Sequence, residues 1–251
     1  MSVLDEIYNK QFNKSESLIK EFEGELAQVL KRINTLSIAR LSSISATDIL
    51  QFTDVWQEIL RESGYYALVD TYITEGFDSF YGEILESFEK AGLSTVFTAE
   101  DALAMDTVKS MKRGFFTSLA DDAGKAVQKE IYRYALADVS INEMAQALET
   151  SLSDLNLQRY ANTYARTAIQ EYQQEVINIR SANIEDGVWV YIGTNDGVTR
   201  PFCKSVLNEK SCYDDSEKLK LENDPKREFN CRHQFRKVNK QWAKENGYAC
   251  N

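Results

Sequence analysis

The sequence predicts a mainly α protein: an N-terminal bundle of long helices, followed by a small C-terminal α+β module with a β-hairpin or a three-stranded sheet. Three observations carry this. No proline occurs before Pro201, so no imino acid interrupts a helix over the first 200 residues. Apolar residues in that stretch recur every three or four positions, which is the helical period. From about residue 183 the texture turns β-branched and aromatic, and all four cysteines, both prolines and the one histidine lie beyond residue 200.

In the first segment Phe22, Leu26, Val29, Ile33 and Leu36 form one apolar stripe, compatible with bundle or coiled-coil packing. The Ser-rich stretch 37–48 ends that helix and offers caps for a second, from Asp48 to about Glu62. A third segment, Tyr65 to Lys90, is rich in aromatics: Tyr65, Tyr66, Tyr72, Phe77, Phe80, Tyr81 and Phe88. With Val69, Ile73, Ile84 and Leu85 they read as buried core rather than as a stacking platform, and Gly92 marks the stop.

"TAED" (98–101) has the capping-box pattern and opens a helix to about Phe116, followed by another from Ser118 to Ala137. "SINE" (140–143) repeats the pattern and opens a short helix ending near Leu148. A long helix then runs over 155–182, with Leu157, Tyr160, Tyr164, Ala168, Tyr172, Val176 and Ile179 on its buried side. Its length and continuous stripe argue against a helix-turn-helix reader of DNA. Residues 1–150 are thus expected to form a helical body and 151–251 the module, made of the long helix and a small domain over 183–251.

Within that domain "GVWVYIG" (187–193) reads as a strand and "TNDG" (194–197) as a hairpin turn. "VTRPFC" (198–203) is its returning partner, shortened by Pro201, and "RHQFRKV" (232–238) a third strand. Residues 208–225 are polar and read as irregular.

The formal net charge is −10, unevenly spread. Residues 184–251 hold 12 Lys and Arg against 11 Asp and Glu, while the preceding residues hold 17 against 28. An acidic body repels phosphate, so any contact with nucleic acid falls in the basic stretch 225–244. Lys226, Arg227, Arg236, Lys237 and Lys240 are the candidates, and the alternative is a solvated face. The N-terminal "MSVLDEIYNKQF" has no basic n-region or apolar h-region, and no apolar run is long enough to span a bilayer. The expectation is a protein made and folded in a cytosol, with no membrane partner.

The chemistry-bearing residues are Cys203, Cys212, Cys231 and His233, which supply the count of sulfur and nitrogen ligands for one structural zinc. Residues i and i+2 of a strand share a face, so Cys231 and His233 can reach one ion. The spacing is not the paired C-x2-C of common zinc fingers, and free buried thiols or a Cys203–Cys231 disulfide stay open as alternatives. His233 with Asp196 or Glu228, and Arg200 or Arg232 for an anion, would compose a small nuclease- or toxin-like centre. No P-loop, G-x-S-x-G or H-E-x-x-H accompanies them, so no enzyme is expected. Asp196 also suits a turn that bonds its own backbone, with Arg200 paired to an acid.

The order of these pieces resembles the phage Mu F-like head morphogenesis family, the minor head or minor capsid proteins. The similarity runs through "YARTAIQEYQQ" (164–174), "GVWVYIGTNDGVTRPFCKSVLNEK" (187–210) and "NCRH" (230–233). The matching positions are Arg166, Thr167, Trp189, Asp196, Thr199, Arg200, Cys203, Asn230, Cys231 and Arg232. Asn208-Glu209-Lys210 lacks the family's usual Gly, Glu228 stands where His is common, and His233 stands where the last Cys is common. The resemblance implies a virion protein near the portal of a phage head. Its partners would be the portal protein or the major capsid protein, and packaged DNA, with a role in head assembly and genome packaging or ejection.

Overall fold

The computed structural model describes residues 3–41, 52–93, 98–136, 157–182, 184, 187–227 and 231–250, with 143, 146 and 150. It is mainly helical, with long N-terminal helices and a C-terminal region of short helices and a two-stranded antiparallel sheet. Two compact units form. One comprises Met1–Ser17, Glu75–Lys109 and Arg166–Asn251, and the other Leu18–Thr74 and Ser110–Ala165. Among the described residues no helix is long and apolar enough to cross a membrane.

Helix α1 spans Val3–Leu41 and buries Phe22, Leu26, Val29 and Ile33 as the stripe predicts, with Leu36 half-buried. Helix α2 (Phe52–Ser63) follows, then α3 (Tyr65–Thr71), a π-turn (Tyr72–Gly76) and α4 (Phe77–Lys90). The five-residue step from Tyr72 to Phe77 breaks strict helical spacing, and the π-turn absorbs it. Tyr65, Tyr72, Phe77, Phe80 and Phe88 are buried core, while Tyr66 and Tyr81 are half-buried. Gly92, at φ 72°, ends α4 in a Schellman motif: its N–H bonds to Glu89 O and that of Leu93 to Phe88 O.

The capping box at the head of α5 (Ala99–Leu136) is present: the Thr98 N–H donates to Asp101 and the Asp101 N–H to Thr98 Oγ1. The expected break near residues 116–118 is absent, and α5 is one helix. Thr117 satisfies its hydroxyl on the Arg113 carbonyl one turn back instead of stopping the helix. Gly124 lies under the Trp56 ring, where a Cβ would approach Cδ1 to 2.3 Å, and the Trp56 indole N–H donates to Ala120 O at 2.8 Å. Both belong to the second unit, whose core also packs Phe22, Tyr72 and Phe116.

Helix α6 (Leu157–Ser181) buries Ala161, Ala165, Ala168, Ile169, Tyr172, Val176 and Ile177. Of the expected stripe, Ala168, Tyr172 and Val176 are buried, whereas Tyr160 is 59% exposed and Tyr164 and Ile179 are half-buried. Ala161 and Ala165 take the buried positions in the first half of the helix, and Tyr164 stacks on Phe115. The "SINE" cap falls on Ser140, outside the described residues.

In the first unit, β1 (Gly187–Ile192) pairs with β2 (Gln234–Asn239), Val190 opposite Arg236 and Tyr191 opposite Phe235. The stretch 198–203 is not a strand. Pro201 starts helix α7 (Pro201–Glu209) at its first position, where a missing N–H and fixed φ suit a helix. The "TNDG" turn therefore leads into a helix, not a hairpin. Among the described residues, the other edge of β1 meets only an isolated bridge, Trp189 to Tyr213. Helix α8 (Asp215–Glu222) occupies part of the stretch expected to be irregular, opened by a capping box of Asp214 and Glu217. The chain then forms α9 (Lys240–Glu245), capped by Asn239.

The sheet is buried on both faces. Val190, Ile192 and Val238 pack with Leu4, Tyr8, Ala91 and Ala243. On the opposite face Trp189, Tyr191 and Phe235 are also buried, with Gln174 of α6 bonded to the Phe235 backbone. The Asn239 N–H donates to Ala91 O, tying the end of β2 to the end of α4.

Candidate metal centre

Three segments converge on the sulfur cluster. Helix α7 supplies Cys203, the run entering β2 supplies Cys231 and His233, and β1 supplies Tyr191 between them. The ligand atoms of Cys203, Cys231 and His233 lie within 4.8 Å of one another. The two Sγ atoms are 3.5 Å apart, and Cys231 Sγ is 3.8 Å from His233 Nδ1. A tetrahedral zinc with bonds of about 2.3 Å to sulfur and about 2.0 Å to nitrogen needs S–S and S–N separations of roughly 3.5–3.8 Å. Two of the three separations meet that range and the Cys203–His233 pair lies within 4.8 Å, so the three residues could hold a metal ion.

The imidazole is set for that role. His233 is 3% exposed, and its Nε2 lies 2.9 Å from the Thr194 carbonyl, which only accepts. Nε2 thus donates to that carbonyl, and Nδ1 faces Cys231. Gly193 makes the approach feasible, because a Cβ there would come within 2.2 Å of His233 Cδ2. The Tyr191 ring stacks on His233, and its hydroxyl lies 3.5 Å from Cys203 Sγ and 3.4 Å from Cys231 Sγ. Burial pushes the Tyr191 pKa up, so the hydroxyl stays a donor to sulfur. The Cys203 thiol donating to Cys231 lowers the Cys231 pKa and raises that of Cys203.

Cys212, expected as the fourth ligand, is instead disulfide-bonded to Cys250. Backbone pairing brings them together: Cys212 N–H donates to Ala249 O and Ala249 N–H to Lys210 O. The Cys203–Cys231 disulfide is not formed, and both thiols are free. Cys250 took no part in the four-ligand count, and its being left over was the available signal for this pairing.

Around the cluster, Asp196 and Arg232 form a two-pronged ion pair of 3.0 and 2.8 Å, bracing the loop after β1 against the entry to β2. Thr199 donates to Asp196 and accepts from its N–H, and Val198 N–H donates to the same carboxylate. Arg232, then Thr199, hold the Asp196 carboxyl well below the usual carboxylate range. Arg200 is the N-cap residue of α7. Trp189 Nε1 donates to Asp215, Arg166 pairs with Glu16 at 2.7 Å, and Thr167 is buried. Asn230 and Glu228 lie outside the described residues.

The basic stretch divides. Lys226 and Lys240 are exposed and Arg227 is half-buried, bonded to the His233 carbonyl. Arg236 and Lys237 are 2% and 6% exposed and offer nothing to nucleic acid. A strand covered on both faces has no solvent side, so their long stems enter the interior. Arg236 bonds to Gln11, Ser87 and Gln234, and Lys237 Nζ to the Ser181 carbonyl. Burial lowers the Arg236 pKa to about 9.

Fold and centre together define a mainly helical protein with a two-cysteine, one-histidine cluster beside a small buried sheet. No family model, no curated protein and no solved structure matches the chain.

Proposed function

We propose that the chain is a structural minor head protein of a tailed bacteriophage, associated with the portal or capsid, acting in head morphogenesis and genome packaging or ejection. One observation carries the proposal. The family-like positions of 196–203 meet those of 231–232 through two neighbouring contacts, Asp196, itself bonded to Thr199, with Arg232, and Cys203 with Cys231. Those contacts join side chains to one another and to backbone, as a scaffold requires. Long amphipathic helices supply faces for a portal or capsid partner. Zinc on Cys203, Cys231 and His233 staples α7 to the entry of β2 in this proposal, since two thiolates and an imidazole suit that ion.

Mass spectrometry of purified virions and procapsids, with pull-down of the portal protein, tests the role. The protein is expected in particles and bound to the portal, and its absence from both overturns the assignment. Metal analysis of the parent and of Cys231→Ser tests the staple. About one zinc per chain in the parent and a large loss in the variant are expected. A metal-free parent removes zinc.

A further inference from the structure

We propose that Cys203 and Cys231 form a reversible dithiol–disulfide pair, in which Cys231 meets a hydroperoxide oxidant and Cys203 closes the bond. The two Sγ atoms lie 3.5 Å apart, and both residues are free thiols. A disulfide has its sulfurs about 2.05 Å apart, so an approach of roughly 1.5 Å closes the pair. The Tyr191 hydroxyl, 3.5 and 3.4 Å from the two sulfurs, makes a near-equilateral triangle with them and so does not stand between them. Cys203 sits in the first turn of α7, whereas Cys231 lies in a run, 231–233, that belongs to no helix or strand. Movement there breaks no helix and no ladder.

Exposure sets the order of events. Cys203 is 2% exposed, while Cys231 is half-buried and lies in the wall of a cavity of about 400 Å³. Oxidant in that cavity meets Cys231 first, and the buried Cys203 stands behind it as the resolving thiol. The Cys231 sulfur takes one peroxide oxygen, the O–O bond breaks, and water leaves, giving a sulfenic acid. The Cys203 sulfur then attacks the Cys231 sulfur. The S–O bond breaks, and the hydroxyl leaves as a second water with the Cys203 proton. Two thiols and one peroxide thus become one disulfide and two waters, and an added dithiol reverses the bond by exchange. Where zinc sits on Cys203, Cys231 and His233, the same bond removes two of its three ligands and releases it. Only this last consequence rests on the zinc reading proposed above.

Hydrogen peroxide added to the full chain, stripped of metal by a chelator, tests the pair. Loss of both free thiols is expected, with a Cys203–Cys231 cross-link in non-reducing peptide mass maps. In Cys203→Ser, dimedone is expected to trap Cys231 as its sulfenic acid, and in Cys231→Ser the buried Cys203 should stay unlabelled. Two thiols that survive peroxide in the parent, or Cys231 carried to the sulfinic acid with Cys203 still free, overturn the pair. Dimedone on Cys203 in Cys231→Ser overturns the order. In the zinc-loaded chain, peroxide should release about one zinc to a chromogenic chelator as the cross-link forms. A chain that forms the cross-link but never takes up zinc overturns the zinc staple and leaves the redox pair standing.

Discussion

At the scale of the residue, Asp196 carries the most connections in the loop after β1. Its folded pKa is depressed by Arg232 and Thr199, so the ion pair contributes stability above the ordinary carboxylate pKa. That contribution fades as pH falls from about 4 toward the folded value. Asp196→Asn is therefore expected to unfold more easily at pH 7 and to lose much less further stability on acidification than the parent, read from urea midpoints at pH 7 and pH 3. Equal acid sensitivity in both would remove Asp196 as the source. The residue types of this site were legible: Asp196 as a turn-former, Cys231 and His233 as neighbours that could share one ion. Thr194 and Tyr191 were not, because one acts through a backbone carbonyl and the other through a position that sequence presents as ordinary strand core. Arg236 and Lys237 misled for a similar reason: charge in a sequence does not say whether a strand keeps a solvent face.

At the scale of the element, capping chemistry was the reliable signal. Thr98 with Asp101 and Gly92 mark real helix ends, each through local hydrogen bonds that need no tertiary knowledge. Helix continuity was less legible. The stretch around Phe116–Ser118 reads as a break, yet a helix buried by its neighbours carries weak propensity through. The glycines of α5 test this division. Gly124→Ala pushes a methyl into Trp56 and is expected to cost about 1–3 kcal/mol. Gly114→Ala meets open space and should gain up to about 1 kcal/mol. Thermal or chemical denaturation of the two variants gives opposite signs if Trp56 sits as described. Pro201 supplies the other lesson: the same residue that shortens a strand also begins a helix, and only the following CKSVLNE run decides between them.

At the scale of the whole molecule, alkaline pH is the condition that the buried tyrosines oppose. Burial pushes Tyr8, Tyr213 and Tyr248 up to about 12. In the unfolded chain they ionise near 10, so above that pH the folded state binds more protons than the unfolded one. Stability is accordingly full below about pH 10 and falls as pH rises from there toward 12. Denaturation midpoints at pH 8, 10 and 11, followed with phenolate absorbance, should fall together with the onset of ionisation. A midpoint flat to pH 11 would mean that these hydroxyls are not buried in the native state.

The Cys212–Cys250 bond also sets how the C-terminal module bears load. It encloses a sequence separation of 38 residues, within which lie Cys231, His233 and both β2 and α9. A pull applied at Asn251 passes through the sulfur bridge into residue 212 and bypasses the enclosed chain. Reduction lengthens the tether by the hidden segment, on the order of 130 Å at full extension. Force spectroscopy with and without reductant would resolve that step. With the bridge closed, β2 and the run that supplies Cys231 and His233 are shielded from tension applied beyond Cys250.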